Sequence, residues 1–293
     1  MPKKIAILAD IHGNVPALEA VLADIDAQAP DEVLVGGDLV GRGPQGSEVI
    51  RAVRRRGWMA IRGNHEEYLL EFRKRNVPSE WLYLEEWAAS RWMASELSEE
   101  DVEYLDSLPP SVRARSNPEV LVTHGSPLGT SDGLGPWTRE RRLDRLLEGI
   151  EESVLVCGHT HRPMVRELDR GLVVNVGSVG LPFNGDRRAQ YAILSFTGVD
   201  CSVDLRRVDY DIESTLAAYR RTGFLEAGGV TARLLALELQ HAAPFLVPFQ
   251  RWARAIGAVP AIERLDEFLD FYEPGRSLRD FFSRLERLSE ATR

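Results

Sequence analysis

The first 65 residues alternate short apolar runs with amphipathic stretches, and this alternation restricts the possible folds more than any other feature of the chain. Ile5 to Ala9 is continuously apolar, as a buried strand requires, and Leu18, Val21, Leu22 and Ile25 then recur at helical spacing. Asn14 and Pro16 suit the N-cap and first turn of that helix. The pattern repeats: Val33 to Val35 predicts a second strand, Ser47 can cap a helix carrying Val49, Ile50 and Val53, Gly57 can end it, and Trp58 to Ile61 is a third strand. Strands separated by helices of this length are joined by right-handed crossovers and form a parallel sheet.

Further strands are expected at Val120 to Thr123, Val154 to Cys157, Leu172 to Val176, Tyr191 to Phe196 and Val203 to Val208. The last three are linked by glycine-rich or polar turns without helices, which implies an antiparallel part, in a second sheet. Between the third and fourth strands, residues 66–118 predict a helical insertion that carries Trp81, Tyr83, Trp87 and Trp92. Ser98 and Asp101 resemble a capping box there, with Asp in place of the usual Glu. The aromatics are expected to pack this insertion onto the body, the alternative being a lid over a substrate site.

From Asp211 onward the pattern is helical. Ile262, Leu265, Phe268, Leu269 and Tyr272 make one apolar stripe, and Leu278, Phe281, Phe282, Leu285 and Leu288 make another. The chain therefore divides into an α/β unit over residues 1–209 and a helical C-terminal extension over 210–293. The stripes must pack on something, either the body of the chain or a second copy in a homo-oligomer.

Composition narrows the partners. A chain of 293 residues can bury a large core without disulfides, and its two cysteines, Cys157 and Cys201, fit a reducing compartment. A net charge of −9 argues against bulk electrostatic binding of nucleic acid. Lys3 and Lys4 precede only five apolar residues before Asp10, too few for the apolar region of a signal peptide. The apolar stretch from Leu239 to Gln250 contains His241, Pro244 and Pro248 and is far shorter than the roughly 20 residues of a membrane helix. A soluble, cytoplasmic protein with no membrane partner is the expectation.

Polar residues gather just past the ends of the predicted strands, where open parallel sheets place their sites. Asp10 and His12 follow the first strand, Asp38 the second, and Asn64 and His65 the third. His124 follows Val120 to Thr123, and His159 and His161 follow Val154 to Cys157. Taken singly, each has an ordinary explanation as a capping, surface or turn residue. Taken together, Asp10, His12, Asp38, Asn64, His124, His159 and His161 supply oxygen and imidazole ligands for two divalent cations if one carboxylate bridges. Structural zinc would more often use cysteine, and Cys157 is expected to be buried in its strand. A two-metal hydrolytic site is the economical reading.

The runs ADIHGN (Ala9 to Asn14), GGDLVGRGP (Gly36 to Pro44), RGNHE (Arg62 to Glu66), THG (Thr123 to Gly125) and CGHTH (Cys157 to His161) resemble the five motifs of calcineurin-like metallophosphoesterases. Their order and spacing agree across residues 5–197. The resemblance implies an α/β fold, a four-layer α/β/β/α sandwich, with two divalent metal ions at the strand ends. Mn²⁺ is the commonest of these in similar bacterial-looking members, with Fe, Zn or Ni as alternatives. By the same resemblance Asp10, His12 and His161 hold the first metal, Asn64, His124 and His159 the second, and Asp38 bridges. A hydroxide shared by the two ions would attack phosphorus in line, without a covalent phospho-enzyme. His65 matches the family's histidine that contacts phosphate and protonates the leaving oxygen.

Two further runs refine the expectation. GDLVGRGP looks like the GD-x-x-x-RG element of protein phosphatases and dinucleoside tetraphosphatases, whose arginine binds phosphate in a fork, which makes Arg42 a candidate substrate-binding residue. Its alternative is a surface arginine near the helix face of Arg51 and Arg54 to Arg56. Protein phosphatases place an Asp before this arginine to orient the catalytic histidine; Gly41 stands there here, which disfavours that activity and leaves His65 without an evident orienting group. NVGSVGLPFNGD (Asn175 to Asp186) resembles the NPGS element of small bacterial phosphodiesterases, with Val176 for proline, and Phe183 is expected to pack in the core.

The expected function is a metal-dependent phosphoesterase that hydrolyses phosphodiester or phosphomonoester bonds of a small phosphoester or nucleotide. The nearest rival is a dinucleoside polyphosphate hydrolase acting on diadenosine tetraphosphate. Protein phosphatase and nuclease rank lower. A catalytically silent protein-binding scaffold, as in the small subunit of retromer, would have lost part of the ligand set, which this sequence retains in full.

Overall fold

The turns that carry the candidate residues sit at one end of two five-stranded sheets packed face to face. The computed structural model describes residues 3–198, 200–274 and 278–291, without the side chains of 278–279 and 288–291. Its strands are β1 (Lys3–Leu8), β2 (Glu32–Val35), β3 (Met59–Ala60), β4 (Ser111–Arg113), β5 (Val120–Thr123), β6 (Val154–Cys157), β7 (Met164–Leu168), β8 (Gly171–Asn175), β9 (Ala189–Thr197) and β10 (Asp200–Val208). The helices are α1 (Val15–Gln28), α2 (Gly46–Arg56), α3 (Asn64–Lys74), α4 (Ala88–Ser95), α5 (Glu99–Ser107), α6 (Glu140–Glu148), α7 (Ile212–Arg221), α8 (Phe224–Ala227), α9 (Gly229–His241), α10 (Leu246–Ala255), α11 (Leu265–Phe271) and α12 (Leu278–Ala291).

The first sheet has the order β10-β9-β1-β2-β3, with β1, β2 and β3 parallel and Ile7 opposite Leu34. The second has the order β4-β5-β6-β8-β7, with β5, β6 and β8 parallel and antiparallel edges. The antiparallel part is therefore shared. β9 and β10 return to the first sheet beside β1 rather than forming a second sheet with β8. The linker from β8 to β9 makes that crossing along the site, where Val179 N–H donates to Ala9 O at 3.0 Å and Gly180 N–H to Asp10 O at 2.9 Å.

Side chains alternate between layers, as strand geometry demands. Ile5 and Ile7 of β1 point between the sheets with Leu34, Val122, Val156, Val174 and Leu194. Ala6 and Leu8 point to the other face, against Leu18, Val21 and Ile25 of α1. Leu155 and Cys157 of β6 likewise face Leu143, Leu146 and Leu147 of α6. Both faces of these strands are covered, so their runs are apolar throughout, and the layers stack as α/β/β/α. Each such aliphatic side chain contributes about 1.5–3 kcal/mol relative to exposure.

In the insertion, Trp81 and Trp87 stack at 3.7 Å and both lie 6.1 Å from Phe72. Trp92 packs on Phe224 at 5.0 Å, so the aromatics fasten the segment to the body and to the C-terminal helices, with Tyr83 exposed. The Ser98–Asp101 capping box forms, each backbone N–H reaching the other side chain at 3.1 Å. β4 lies inside the segment expected to be helical; at three residues it is too short to leave a periodic signal. β7 is an edge strand with Val165 exposed, and for that reason reads as polar.

The extension builds a core of its own, from Val230 and Leu234 of α9, Phe245, Phe249 and Trp252 at α10, and Phe268, Tyr272 and Phe281. The first predicted stripe is broken, with a 3₁₀ turn at Ile262–Arg264 and α11 ending at Phe271. In the second, Phe281 is buried and Phe282 and Leu285 are half-buried, while the side chains of Leu278 and Leu288 lie outside the described residues. Helices α7 to α9 also reach the body, placing Leu216, Phe224 and Leu235 in the core outside the first sheet. Among the described residues no helix is long and apolar enough to cross a membrane.

Candidate metal centre

Among the described residues nine non-glycine positions have left-handed backbone. Ala29, Arg75 and Ala242 are helix C-caps, where that conformation is ordinary. The other six are Asp10, His12, Asp38, Arg42, His159 and His161. Left-handed backbone at such residues costs on the order of 1–3 kcal/mol each and persists only where surrounding structure enforces it. The enforcement is a lattice between turns: Asp10 N–H donates to Gly37 O at 3.0 Å, His12 N–H to Asp38 O at 2.9 Å and Gly158 N–H to His124 O at 2.9 Å.

The two carboxylates are fully buried, and each uses one oxygen structurally while leaving the other to the site. Asp10 Oδ2 accepts His159 N–H at 2.9 Å, whereas Oδ1 is buried without a hydrogen-bond partner. Asp38 Oδ1 accepts His65 N–H at 2.9 Å, and its Oδ2 lies 3.2 Å from His124 Nε2 and 3.6 Å from His12 Nε2.

The imidazoles are aimed by backbone carbonyls. His12 Nδ1 lies 3.2 Å from Val40 O and His124 Nδ1 2.8 Å from Gly36 O, and His161 Nδ1 contacts Leu181 O. A carbonyl can only accept, so Nδ1 carries the proton and the Nε2 lone pair is left for a cation. His12 and His161 Nε2 face each other at 3.0 Å, with Asp10 Oδ1 3.3 Å from the latter. Two facing lone pairs beside an unpartnered carboxylate oxygen are mutually repulsive unless a cation lies among them. Asn64 Oδ1 is 3.0 Å from His124 Nε2 and 2.8 Å from His159 Nδ1.

All seven candidate ligands are thus brought together, and their donor chemistry fits divalent cations. Asp10, His12 and His161 offer atoms within 4.8 Å of one another, as do Asp10, Asp38 and His124. His65, expected to stand outside the ligand set, also comes within 4.8 Å with His12 and Asp38.

Burial dominates the ionisation of this cluster. It pulls His12 well below the ordinary imidazole range, His65 down to about 3 and His159 down to about 4. For His124 burial acts in the same direction but is outweighed by Asp38 and Asp10, which push it up to about 10 by favouring a second proton at Nε2, the proton a cation would displace. Burial followed by the Asp38 charge pushes Glu66 up to about 7.

Several supporting residues escaped the sequence reading. The buried carboxylate of Glu66, which ends the RGNHE run, accepts N–H bonds from Gly63 at 2.7 Å, Asp38 at 2.8 Å and Val40 at 3.2 Å, tying two turns of the site together. Asn175 donates to Gly158 O at 2.6 Å, and Ser178 Oγ donates to Asp10 O at 2.8 Å, which gives the NVGS run its use. Phe183 packs against the core outside the first sheet from a half-buried position, and its ring also stacks on His161 at 4.6 Å, with the Arg42 guanidinium 5.8 Å from its centre.

Arg42 is a site residue rather than part of the basic helix face, but its fork is partly engaged. Its Nε donates to His65 Nε2 at 3.1 Å and its Nη1 to Glu238 Oε2 at 3.0 Å. Gly41 follows from the same geometry, since a Cβ there would stand 2.5 Å from His65 Nδ1. Glu238 belongs to α9 and carried no sequence signal. His241 is exposed beside Phe245, away from this cluster.

Residues 4–198 match the calcineurin-like phosphoesterase superfamily domain. An uncharacterized protein of Methanocaldococcus jannaschii is 27% identical over 227 residues, 71% of this chain and 88% of that protein. The crystal structure of a metallophosphoesterase from Sphaerobacter thermophilus aligns with a TM-score of 0.65 at 28% identity, covering 82% of this chain and 100% of that one. A shorter match, 42% identical over 66 residues, covers 22% of this chain and 24% of a symmetrical bis(5'-nucleosyl)-tetraphosphatase of Paracidovorax citrulli.

Proposed function

This chain belongs to the calcineurin-like phosphoesterase superfamily, and from that premise we propose a metal-dependent, dinuclear enzyme that cleaves small phosphodiesters or phosphomonoesters. The observation that carries the dinuclear reading is the place of Asp38, whose Oδ2 lies 3.2 Å from His124 Nε2 and 3.6 Å from His12 Nε2. Asp10, His12 and His161 would hold one ion, Asn64, His124 and His159 the other, and Asp38 both. Mn²⁺ is the proposed ion, supported by the family resemblance of the motifs, with Fe, Zn or Ni also compatible with a set of oxygen and imidazole donors. Two such ions would lower the pKa of a water and draw charge from the phosphoryl oxygens.

The chain's own residues do the rest. The His65 backbone N–H fixes Asp38 Oδ1, so the bridging oxygen is held before substrate arrives. His65 Nε2 accepts from Arg42 Nε in the resting site; an arriving phosphate anion favours the imidazolium, and Nε2, protonated from solvent as the Arg42 bond gives way to the phosphate, would hand that proton to the leaving oxygen. Arg42 Nη2, which has no hydrogen-bond partner among the described residues, is the guanidinium nitrogen left for a phosphate oxygen.

A second reading, hydrolysis of dinucleoside polyphosphates, draws support from the 66-residue match to a bis(5'-nucleosyl)-tetraphosphatase together with Arg42. Assays of the Mn²⁺-loaded chain on bis(p-nitrophenyl) phosphate, p-nitrophenyl phosphate and diadenosine tetraphosphate separate the two. Turnover of the nitrophenyl esters with little of the tetraphosphate is expected, the reverse order would favour the second reading, and no turnover of any phosphoester would contradict both.

A further inference from the structure

The C-terminal helices grip the active site at Arg42. Arg42 lies between Gly41 and Gly43 with left-handed backbone, so its immediate neighbours do little to place it. Its position comes from the extension. Tyr219 of α7 donates its hydroxyl to Arg42 O at 2.7 Å, and Glu238 of α9 accepts from Arg42 Nη1 at 3.0 Å. Glu238 is itself immobilised, being 1% exposed, with Oε1 accepting the N–H groups of Phe245 at 2.8 Å and Leu246 at 2.9 Å where α10 begins. A carboxylate that reads two backbone donors with one oxygen and an arginine with the other has no freedom left.

Arg42 Nε in turn donates to His65 Nε2 at 3.1 Å, which sets the rotation of the ring and makes Nε2 the acceptor, with the proton on Nδ1. His65 receives no other side-chain hydrogen bond among the described residues, and its ring packs on Gly41 so closely that any side chain there would collide with it.

We propose that Glu238 is a positioning residue of the phosphoesterase reaction, acting through Arg42 on His65, so that the active site of this enzyme is completed by its C-terminal helices. This rests on the role given to His65 above. A buried ion pair is weak evidence for stability in itself, because desolvation consumes much of its Coulombic gain. Placed between a remote helix and an active-site imidazole, the Glu238–Arg42 pair serves alignment.

The test is Glu238→Gln in the full chain, measured on phenyl phosphate and on p-nitrophenyl phosphate. Glutamine keeps a carbonyl for the α10 donors and removes the charge that holds Arg42. A nitrophenolate leaves with little help, whereas phenolate needs its proton. The expected result is a kcat loss of roughly 10-fold or more on phenyl phosphate and under about 3-fold on the nitrophenyl ester, with KM and bound metal nearly unchanged. Equal losses on both esters, or none, would overturn the proposal. Tyr219→Phe, which removes only a hydroxyl, should move the same ratio in the same direction by a smaller factor, and decides the matter if Glu238→Gln does not fold.

A readout without turnover separates this inference from the function it rests on. With Zn²⁺ added to the full-length protein, the nitrogen NMR signals of His65 should show the Nδ1–H tautomer, and Glu238→Gln should shift them toward a tautomer mixture. An unchanged His65 spectrum would overturn the positioning role. An inactive wild type with a shifted spectrum would instead refute the phosphoesterase reading and leave the Glu238–Arg42–His65 linkage standing.

Discussion

The strand-end turns and the C-terminal helices both bury carboxylates, and they treat them in opposite ways. Asp10 is fully buried and its Oδ1 has no hydrogen-bond partner, while the neighbouring His12 and His161 nitrogens face each other at 3.0 Å. Glu238 is buried just as deeply, yet both of its oxygens are matched, by Phe245, Leu246 and Arg42. Native proteins rarely leave buried polar atoms unpaired, so an unpaired carboxylate oxygen beside two facing imidazole nitrogens identifies where something else is to bind. A fully paired charge identifies what holds the machinery in place. The backbone repeats the contrast: among the described residues, six of the nine left-handed non-glycine positions crowd the first region, whereas the extension contributes a helix cap at Ala242.

The sharpest way to break this contrast is Asp38→Ala. Removing the carboxylate between the two ligand sets is expected to lower turnover by roughly 10³-fold or more and to reduce bound metal with it, measured by kinetics and elemental analysis on the same sample. Full metal content in that variant would deny Asp38 its bridging role. His65→Ala should separate chemistry from binding, losing about 100-fold in kcat while keeping its metal. Retained turnover there would remove the proton donor from the mechanism.

Glu66→Ala tests a supporting carboxylate inside the first region. It leaves the buried N–H groups of Gly63, Asp38 and Val40 unpaired, and should cost at least about 1–3 kcal/mol of stability and about 10- to 100-fold in metal affinity. An unchanged affinity would show that the two turns do not need the tie.

The smallest effect comes from a charge remote from both regions. The Arg206 hydrogen bonds hold Asp24 below the usual carboxylate range, aided by the Tyr191 hydroxyl and opposed by burial. A depressed folded pKa makes this contribution present above the unfolded aspartate value of about 3.9 and lost as pH falls through the folded one. Asp24→Asn should therefore lower thermal stability at neutral pH by less than about 1 kcal/mol, with the difference closing in acid and turnover unaffected. A stability difference independent of pH would contradict the assignment.

What was legible in the sequence follows the same division. The ligand turns could be read because each donor sits a few residues past a strand whose apolar run is itself a signal, and because the motifs are local. β4 and β7 were missed because a three-residue strand and an exposed edge strand lack the continuous apolar pattern. The return of β9 and β10 to the first sheet could not be read from their short connections, since a linker running along the site does not announce which sheet it reaches. Glu238 lies 196 residues from Arg42, in a helix where a glutamate is unremarkable in sequence, so only the fold reveals their contact. Phe183 packs against the core as its apolar run suggested, and its stacking on His161 is a property of place.

The central claim is that the strand-end turns are built around two cations. Counting manganese bound to the purified full-length chain after loading and removal of excess tests it most directly. Two ions per chain, giving the spectroscopic signature of a coupled pair by electron paramagnetic resonance, is the predicted result. One ion or fewer per chain, or two ions with no magnetic coupling, would contradict it.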